Sequence, residues 1–190
     1  GNLLGKCHIR GRSGFRRLPD PPGPFDPLQQ TFHKVSISLE FQYLSFSPVF
    51  TILHIENIKK RGAFTLSIAD VDHLEAADFF GIATGNKMTD KFERSGLHAV
   101  KSTRVDAPVV EEFPVTLECK VAELQKSQYG FRVLGEIVNV LADEKVLDEN
   151  GKVDPAKIHA FVFDQFQNGY YRIGEKVGQA WKSGAGLMKD

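Results

Sequence analysis

Residues 115–121, VTLECKV, alternate apolar and polar side chains, and this stretch decides the fold class of the chain. Its apolar members fall on one face of an extended backbone: Val115, Leu117, Cys119 and Val121. Because successive side chains of a strand point to opposite faces, a period of two predicts a β-strand with one face in the core.

Similar strands are predicted elsewhere in the chain, with short helices between them. The further predicted strands cover residues 35–41, 64–69, 131–140, 160–163 and 170–173, with Gly135 interpreted as a bulge or bend. The predicted helices start at Asp70, at Thr89 and at Asp154-Pro155, and a terminal helix is predicted over 175–181. Many short strands with few helices predict a mainly β fold with α decoration, closed as an antiparallel barrel.

The first 34 residues differ from the rest in composition. They hold five of the chain's nine prolines, namely Pro19, Pro21, Pro22, Pro24 and Pro27, together with several glycines and cations. Proline removes a backbone donor and fixes φ, so the run LPDPPGPFDP over residues 18–27 cannot form a helix interior or a central strand. We therefore predict an atypical Pro/Gly-rich basic segment over 1–34 and one domain over 35–190. A solvated extension, or packing on a neighbouring subunit, is favoured for the segment over contact with a phosphate.

Composition restricts the classes of partner. Lys+Arg and Asp+Glu both number 24, and this zero net charge argues against a nucleic-acid-binding protein. No apolar run reaches the roughly 18 residues of a membrane span. Two cysteines, Cys7 and Cys119, are too few for a disulfide framework or a zinc site. A cytoplasmic location is expected.

Residues 82–92, IATGNKMTDKF, form the best candidate anion site. The Thr84 hydroxyl and one of the two lysines, Lys87 or Lys91, could bind a phosphate together with the backbone N–H groups of a flexible turn. From the residues alone, a polar connection between two helices with solvated lysines is the favoured alternative.

Two other stretches are ambiguous. Lys59, Lys60 and Arg61 indicate a solvated helix C-terminus more than a basic patch. Within the same stretch Asn57 either caps a helix or reaches a ligand. The aromatic residues of 170–181 could stack on a flavin or a nucleobase, although core packing or a dimer interface is favoured.

Motifs for other chemistries are missing from the sequence. It contains no GxGxxG or GxxxxGK[ST] nucleotide loop and no GxSxG nucleophile elbow. The six histidines lack metal-ligand spacing. We therefore assign no catalytic residue and no metal ligand.

Several stretches, taken in order, resemble the flavin reductase-like (flavoredoxin) family over residues 56–181. They are NIKKRGAFTLSIADVDHLEAADFFGIATG, TDKFERSGL, DAPVVEEFPVTLECKV, GEIVNVLADEKVLDENGKVDPAKI and YYRIGEKVGQAW. The resemblance implies a split antiparallel β-barrel that binds FMN, usually as a homodimer with the flavin near the subunit interface.

The resemblance also implies a set of cofactor-binding residues. The family's phosphate turn, its following lysine, its polar strand end and its helical Asn-Ile pair fall on Ser38, Asn57, Thr84, Gly85, Asn86, Lys91 and Phe92. Residues 1–34 do not match the family's opening, so the residues that line the flavin ring are not assigned.

The function implied is that of an FMN-dependent oxidoreductase or electron carrier, in which NAD(P)H reduces the flavin and an acceptor reoxidises it. The alternative is a non-catalytic module that holds a flavin or another phosphorylated ligand.

Overall fold

A computed structural model of the chain describes residues 34–37, 43–46, 52–83, 87–127 and 130–188. The strands are β1 Lys34–Ile37, β2 Tyr43–Phe46, β3 Ala63–Ile68, β4 Ala99–Lys101, β5 Pro108–Val110, β6 Val115–Ser127, β7 Gly130–Asp143, β8 Phe161–Asp164 and β9 Gly169–Arg172. The α-helices are α1 Ile52–Arg61, α2 Leu74–Ile82, α3 Lys91–Arg94 and α4 Pro155–Ile158. The mainly β fold with short helices is as predicted.

The long antiparallel pair β6–β7 is the centre of a five-stranded sheet. β3 pairs with the outer edge of β6, while β1 and β2 pair with successive parts of β7. The β6–β7 register shifts between Val121 and Glu123, opposite Gly135 and Leu134, so the irregularity predicted at Gly135 falls on the facing strand. β4–β5 and β8–β9 form separate two-stranded sheets.

Two apolar clusters pack on this sheet. One lies under α1 and consists of Ile55, Ile58, Phe64, Cys119 and Val133. The other lies near α4 and consists of Val115, Val140, Ala142, Val146, Ile158 and Ala160. The alternation in β6 supplies residues to both clusters, because Val115 and Cys119 share its apolar face.

The polar face of β6 is buried at Thr116 and Glu118, which the sequence did not indicate, and is exposed at Lys120. Glu118 is 1% exposed, and its carboxylate accepts hydrogen bonds from the Ser102 hydroxyl and from Asn139 Nδ2, the latter at 2.5 Å. Ser102 Oγ in turn accepts the backbone N–H of Val105 at 2.9 Å. Glu118 therefore anchors the loop between β4 and β5 to the sheet. Burial, reinforced by the Glu118 charge, raises the pKa of the Cys119 thiol to about 12, so this cysteine stays protonated.

The prediction of a helix over 175–181 is wrong. The backbone has no regular structure from Ile173 to Gln179, and a 3-10 helix forms later, at Ala185–Met188. A short helix is marginal in water unless it buries an apolar face, and residues 170–184 are all exposed. Gly174 and Gly178 lower the helix propensity of the segment further.

Candidate functional site

The candidate phosphate site begins with α2, whose start is fixed by Asp70. The buried Asp70 carboxylate accepts the backbone N–H of His73 at 3.2 Å and is 2.6 Å from His73 Nδ1. This cap closes a 3-10 turn over Val71–His73 that runs directly into α2. The prediction that Asp70 starts a helix is confirmed.

α2 ends where the predicted phosphate turn starts. The last helical bond runs from Ala83 N to Phe79 O at 2.9 Å. The chain then enters residues 84–86, so the predicted site residues Thr84, Gly85 and Asn86 lie outside the described residues, as does Ser38. The same holds for the predicted N-terminal segment, apart from Lys34 in β1.

Lys91 and Phe92 are brought together against the end of α2. The Lys91 ammonium donates a hydrogen bond to the Ala83 carbonyl at 3.3 Å and lies 5.4 Å from the centre of the Phe80 ring. The Phe92 ring stacks on Phe80, with 5.8 Å between ring centres and 29° between planes. These contacts place the Lys91 charge beside Ala83, the residue that precedes 84–86 in the sequence.

The Lys91 charge is not neutralised within the described part of the chain, where no carboxylate forms an ion pair with it. Its neighbour Asp90 is engaged by Arg94 at 2.8 Å, and that hydrogen bond is the main cause that lowers the pKa of Asp90. A lysine ammonium has three donors, and one of them meets a carbonyl here. The remaining two suit an anion.

The short helix α3 differs from its prediction at one end. The residue before it is Asp90, whose side chain makes no capping hydrogen bond, so the predicted cap at Thr89 is wrong. At the other end, α3 is followed by Gly96, whose φ of 70° stops the helix. Asp90 turns its carboxylate towards Arg94 four residues later instead of towards the first turn.

Asn57 lies within α1 and not at its end, which rules out the predicted capping role. Its side chain is exposed, while Ile55 and Ile58 are buried on the opposite side of the helix. No hydrogen bond or ring contact among the described residues joins Asn57 to Lys91 or Phe92. Its contact with a cofactor therefore stays a prediction.

The C-terminal end of α1 is basic and exposed, as predicted. Lys59, Lys60 and Arg61 are exposed, and Gly62 closes the helix with a φ of 64°. Lys59 Nζ lies 4.3 Å from the centre of the Phe131 ring. Arg61 pairs with Asp106 at 2.9 Å, so this cation also holds the loop between β4 and β5.

Sequence reasoning missed two groups around the site. The Ala83 carbonyl is a backbone acceptor and carries no sequence signal. Asp78 on α2 accepts a hydrogen bond from the Tyr170 hydroxyl at 2.6 Å, across 92 positions of the sequence. Of the two alternatives favoured for the 170–181 aromatics, core packing is wrong, because Tyr170 and Trp181 are 40% and 70% exposed, and the dimer interface stays a prediction.

The described residues contain neither a cluster of metal ligands nor a membrane-spanning helix. No group of three or more His, Cys, Asp or Glu side chains there could hold a metal ion. None of the helices described there has the length and apolar character needed to cross a membrane.

Comparisons with known proteins give the same fold. The sequence model of the flavin reductase like domain matches residues 36–168. A comparison with curated protein sequences returned no significant match.

Solved structures extend the agreement. Flavoredoxin of Desulfovibrio vulgaris (Miyazaki F) is 33% identical, with 79% of this chain and 76% of that chain covered and a TM-score of 0.68. Flavoredoxin from Methanosarcina acetivorans is similar in fold at 21% identity, with 81% and 77% covered and a TM-score of 0.67. A putative flavin reductase with a split barrel domain from Shewanella frigidimarina NCIMB 400 is 25% identical, with 76% and 69% covered and a TM-score of 0.57.

The predicted split antiparallel barrel is thus confirmed, and the family match spans most of the chain and includes α2, α3 and the turn between them. The chain belongs to the flavin reductase-like family.

Proposed function

We propose that this protein binds FMN and passes electrons from NAD(P)H through the bound flavin to an acceptor. The observation that carries the proposal is the Lys91 ammonium, which has spare donors beside the 84–86 turn in a chain of this family. The FMN-binding domain of a flavin reductase-like enzyme from Shewanella baltica OS155 has the same fold. Residues 35–190 are the proposed flavin-binding domain, and we expect it in the cytoplasm.

The proposed roles of the residues concern binding and orientation. Lys91 supplies the charge for the phosphate, with Thr84, Gly85 and Asn86 supplying hydroxyl, backbone and amide donors. Phe92 holds the Phe80 ring beneath Lys91. Ser38, which follows β1 in the sequence, and Asn57 of α1 are also proposed to contact the cofactor. The flavin supplies the redox chemistry itself, accepting a hydride from a nicotinamide and releasing electrons to the acceptor.

A visible spectrum tests this function. We expect purified protein to bind added FMN with a shifted flavin absorption band, and NADH or NADPH to bleach the band faster than in a protein-free mixture of the same concentrations. Binding without faster bleaching would favour the alternative, a non-catalytic flavin-binding module. Failure to bind FMN would contradict the proposal.

We also propose that the protein is a homodimer, because the β8–β9 hairpin and the segment after it expose a concentration of apolar side chains. Phe163, Phe166 and Trp181 are 52%, 97% and 70% exposed, and apolar patches of this kind usually mark interfaces. We expect light scattering at micromolar concentration to give twice the monomer mass, and Phe166→Ser with Trp181→Ser to shift the mass towards the monomer. A wild-type monomer would contradict the proposal.

A further inference from the structure

The β8–β9 hairpin is bonded to α2 through Tyr170. The Tyr170 hydroxyl donates to Asp78 Oδ1 at 2.6 Å. This hydrogen bond, followed by desolvation and by the Asp78 charge, raises the pKa of Tyr170. The hydroxyl therefore keeps its proton at neutral pH and remains a donor to a charged acceptor, which is the stronger kind of hydrogen bond.

The tyrosine ring is itself held in place on the hairpin. It meets the Phe161 ring edge to face, with 5.3 Å between ring centres, and lies 5.6 Å from the Phe163 ring at a 55° tilt. Aromatic pairs at these separations favour a defined geometry. The direction of the Tyr170 hydroxyl is thus set by its two aromatic neighbours.

α2 has few other attachments. None of its residues is fully buried, and among the described residues the one other side-chain hydrogen bond between this helix end and another element is that from Lys91 to the Ala83 carbonyl. A helix that buries little apolar area depends more on each polar contact for its orientation. The Asp78–Tyr170 bond is therefore an important constraint on α2.

The last turn of α2 carries the groups that place Lys91. Phe80 stacks on Phe92 and lies beneath the Lys91 ammonium, and the Ala83 carbonyl accepts from the same ammonium. A change in the orientation of α2 would move both groups.

We propose that Tyr170 is a positioning residue that holds, through Asp78, the Phe80 ring and the Ala83 carbonyl against the Lys91 ammonium that is proposed to bind the flavin phosphate. The inference rests on the proposed function. Without the bond, fewer molecules keep the end of α2 in the binding-competent orientation, and the apparent dissociation constant rises by the reciprocal of that fraction. Because the change affects the phosphate contacts, it raises the dissociation constant of FMN and leaves that of riboflavin nearly unchanged.

The test compares FMN and riboflavin affinities of Tyr170→Phe by fluorescence titration. We expect the FMN dissociation constant to rise about two- to tenfold, which corresponds to one hydrogen bond, while that of riboflavin changes less than twofold. Tyr171→Phe is the matched control, since it removes the hydroxyl that donates to Gln167 Oε1 at 3.3 Å within the same hairpin. In Tyr171→Phe the ratio of the FMN and riboflavin dissociation constants should equal the ratio in the wild type.

Substitutions of Asp78 complete the test. Asp78→Asn retains an acceptor oxygen and should bind FMN better than Asp78→Ala. Combining Asp78→Ala with Tyr170→Phe should weaken FMN binding no further than Asp78→Ala alone. Additive losses, equal weakening of FMN and riboflavin, or unchanged affinities in Tyr170→Phe would each overturn the inference. Wild-type protein that binds no FMN would instead remove the proposed function, and the inference with it.

Discussion

Replacing Lys91 by alanine is expected to weaken FMN binding by about ten- to a hundredfold. The substitution removes a charge-assisted hydrogen bond worth about 1.5–3 kcal/mol, and about 1.4 kcal/mol corresponds to a tenfold change in affinity. Riboflavin binding should barely change, because riboflavin has no phosphate. Titration of the two ligands against wild-type and variant protein measures both effects.

Two further variants distinguish loss of the Lys91 charge from loss of the fold. Lys91→Gln keeps a polar side chain of nearly the same length but carries no charge, so it should lose most of the FMN affinity and keep the fold. Lys60→Ala removes an exposed cation from the end of α1 and should leave both affinities unchanged. If Lys91→Ala weakens FMN and riboflavin equally, Lys91 supports the fold and does not bind the phosphate.

Replacing Gly135 by alanine is expected to lower the free energy of unfolding by about 1–3 kcal/mol, the usual cost of an overpacked core. A Cβ at position 135 would overlap Cζ of Phe64 and come within 2.9 Å of its Cε1 and 3.3 Å of Cys119 Cβ. Phe64 is buried in the cluster under α1 and has little room to move. Urea unfolding at one fixed protein concentration measures the change, since the stability of a dimer depends on concentration.

A rescue variant and a second glycine identify the cause. Phe64→Leu removes the outer ring atoms, so in the Gly135→Ala background it should cost less stability than it does alone. Gly81 lies in α2, and a Cβ added there would have no described atom within 4 Å. Gly81→Ala should therefore raise the free energy of unfolding by about 0.5–1 kcal/mol. Gly135→Ala protein as stable as the wild type would show that the Phe64 ring can move aside.

The sequence alone determined the elements whose signals are local. The alternation in VTLECKV predicted a strand that the structure extends to Val115–Ser127. Asp154 followed by Pro155 predicted a helix start, and Asp154 Oδ1 accepts the Ala156 N–H at 3.0 Å. Such features are predictable because side-chain periodicity and capping act within a few residues. The order of the motifs was sufficient to indicate the family, since it extends over most of the chain.

Predictions from the local sequence were wrong where two neighbouring residues could both cap a helix, and where a helix needed burial in order to form. Thr89 and Asp90 are both acceptable caps, and the interaction of Asp90 with Arg94 could not be foreseen from the preference for caps. The helix predicted over 175–181 had a suitable local pattern, but no described surface buries it in this structure. Helix propensity contributes too little without tertiary packing.

Only the tertiary structure decided which distant groups meet. The burial of Glu118 depends on Ser102 and Asn139, which come from the loop after β4 and from β7. The position of the Lys91 ammonium depends on a backbone carbonyl, and a carbonyl is present at every residue. The Tyr170–Asp78 bond joins positions 92 residues apart. A sequence pattern describes one segment at a time, whereas each of these contacts forms only when the sheet and α2 bring separate segments together.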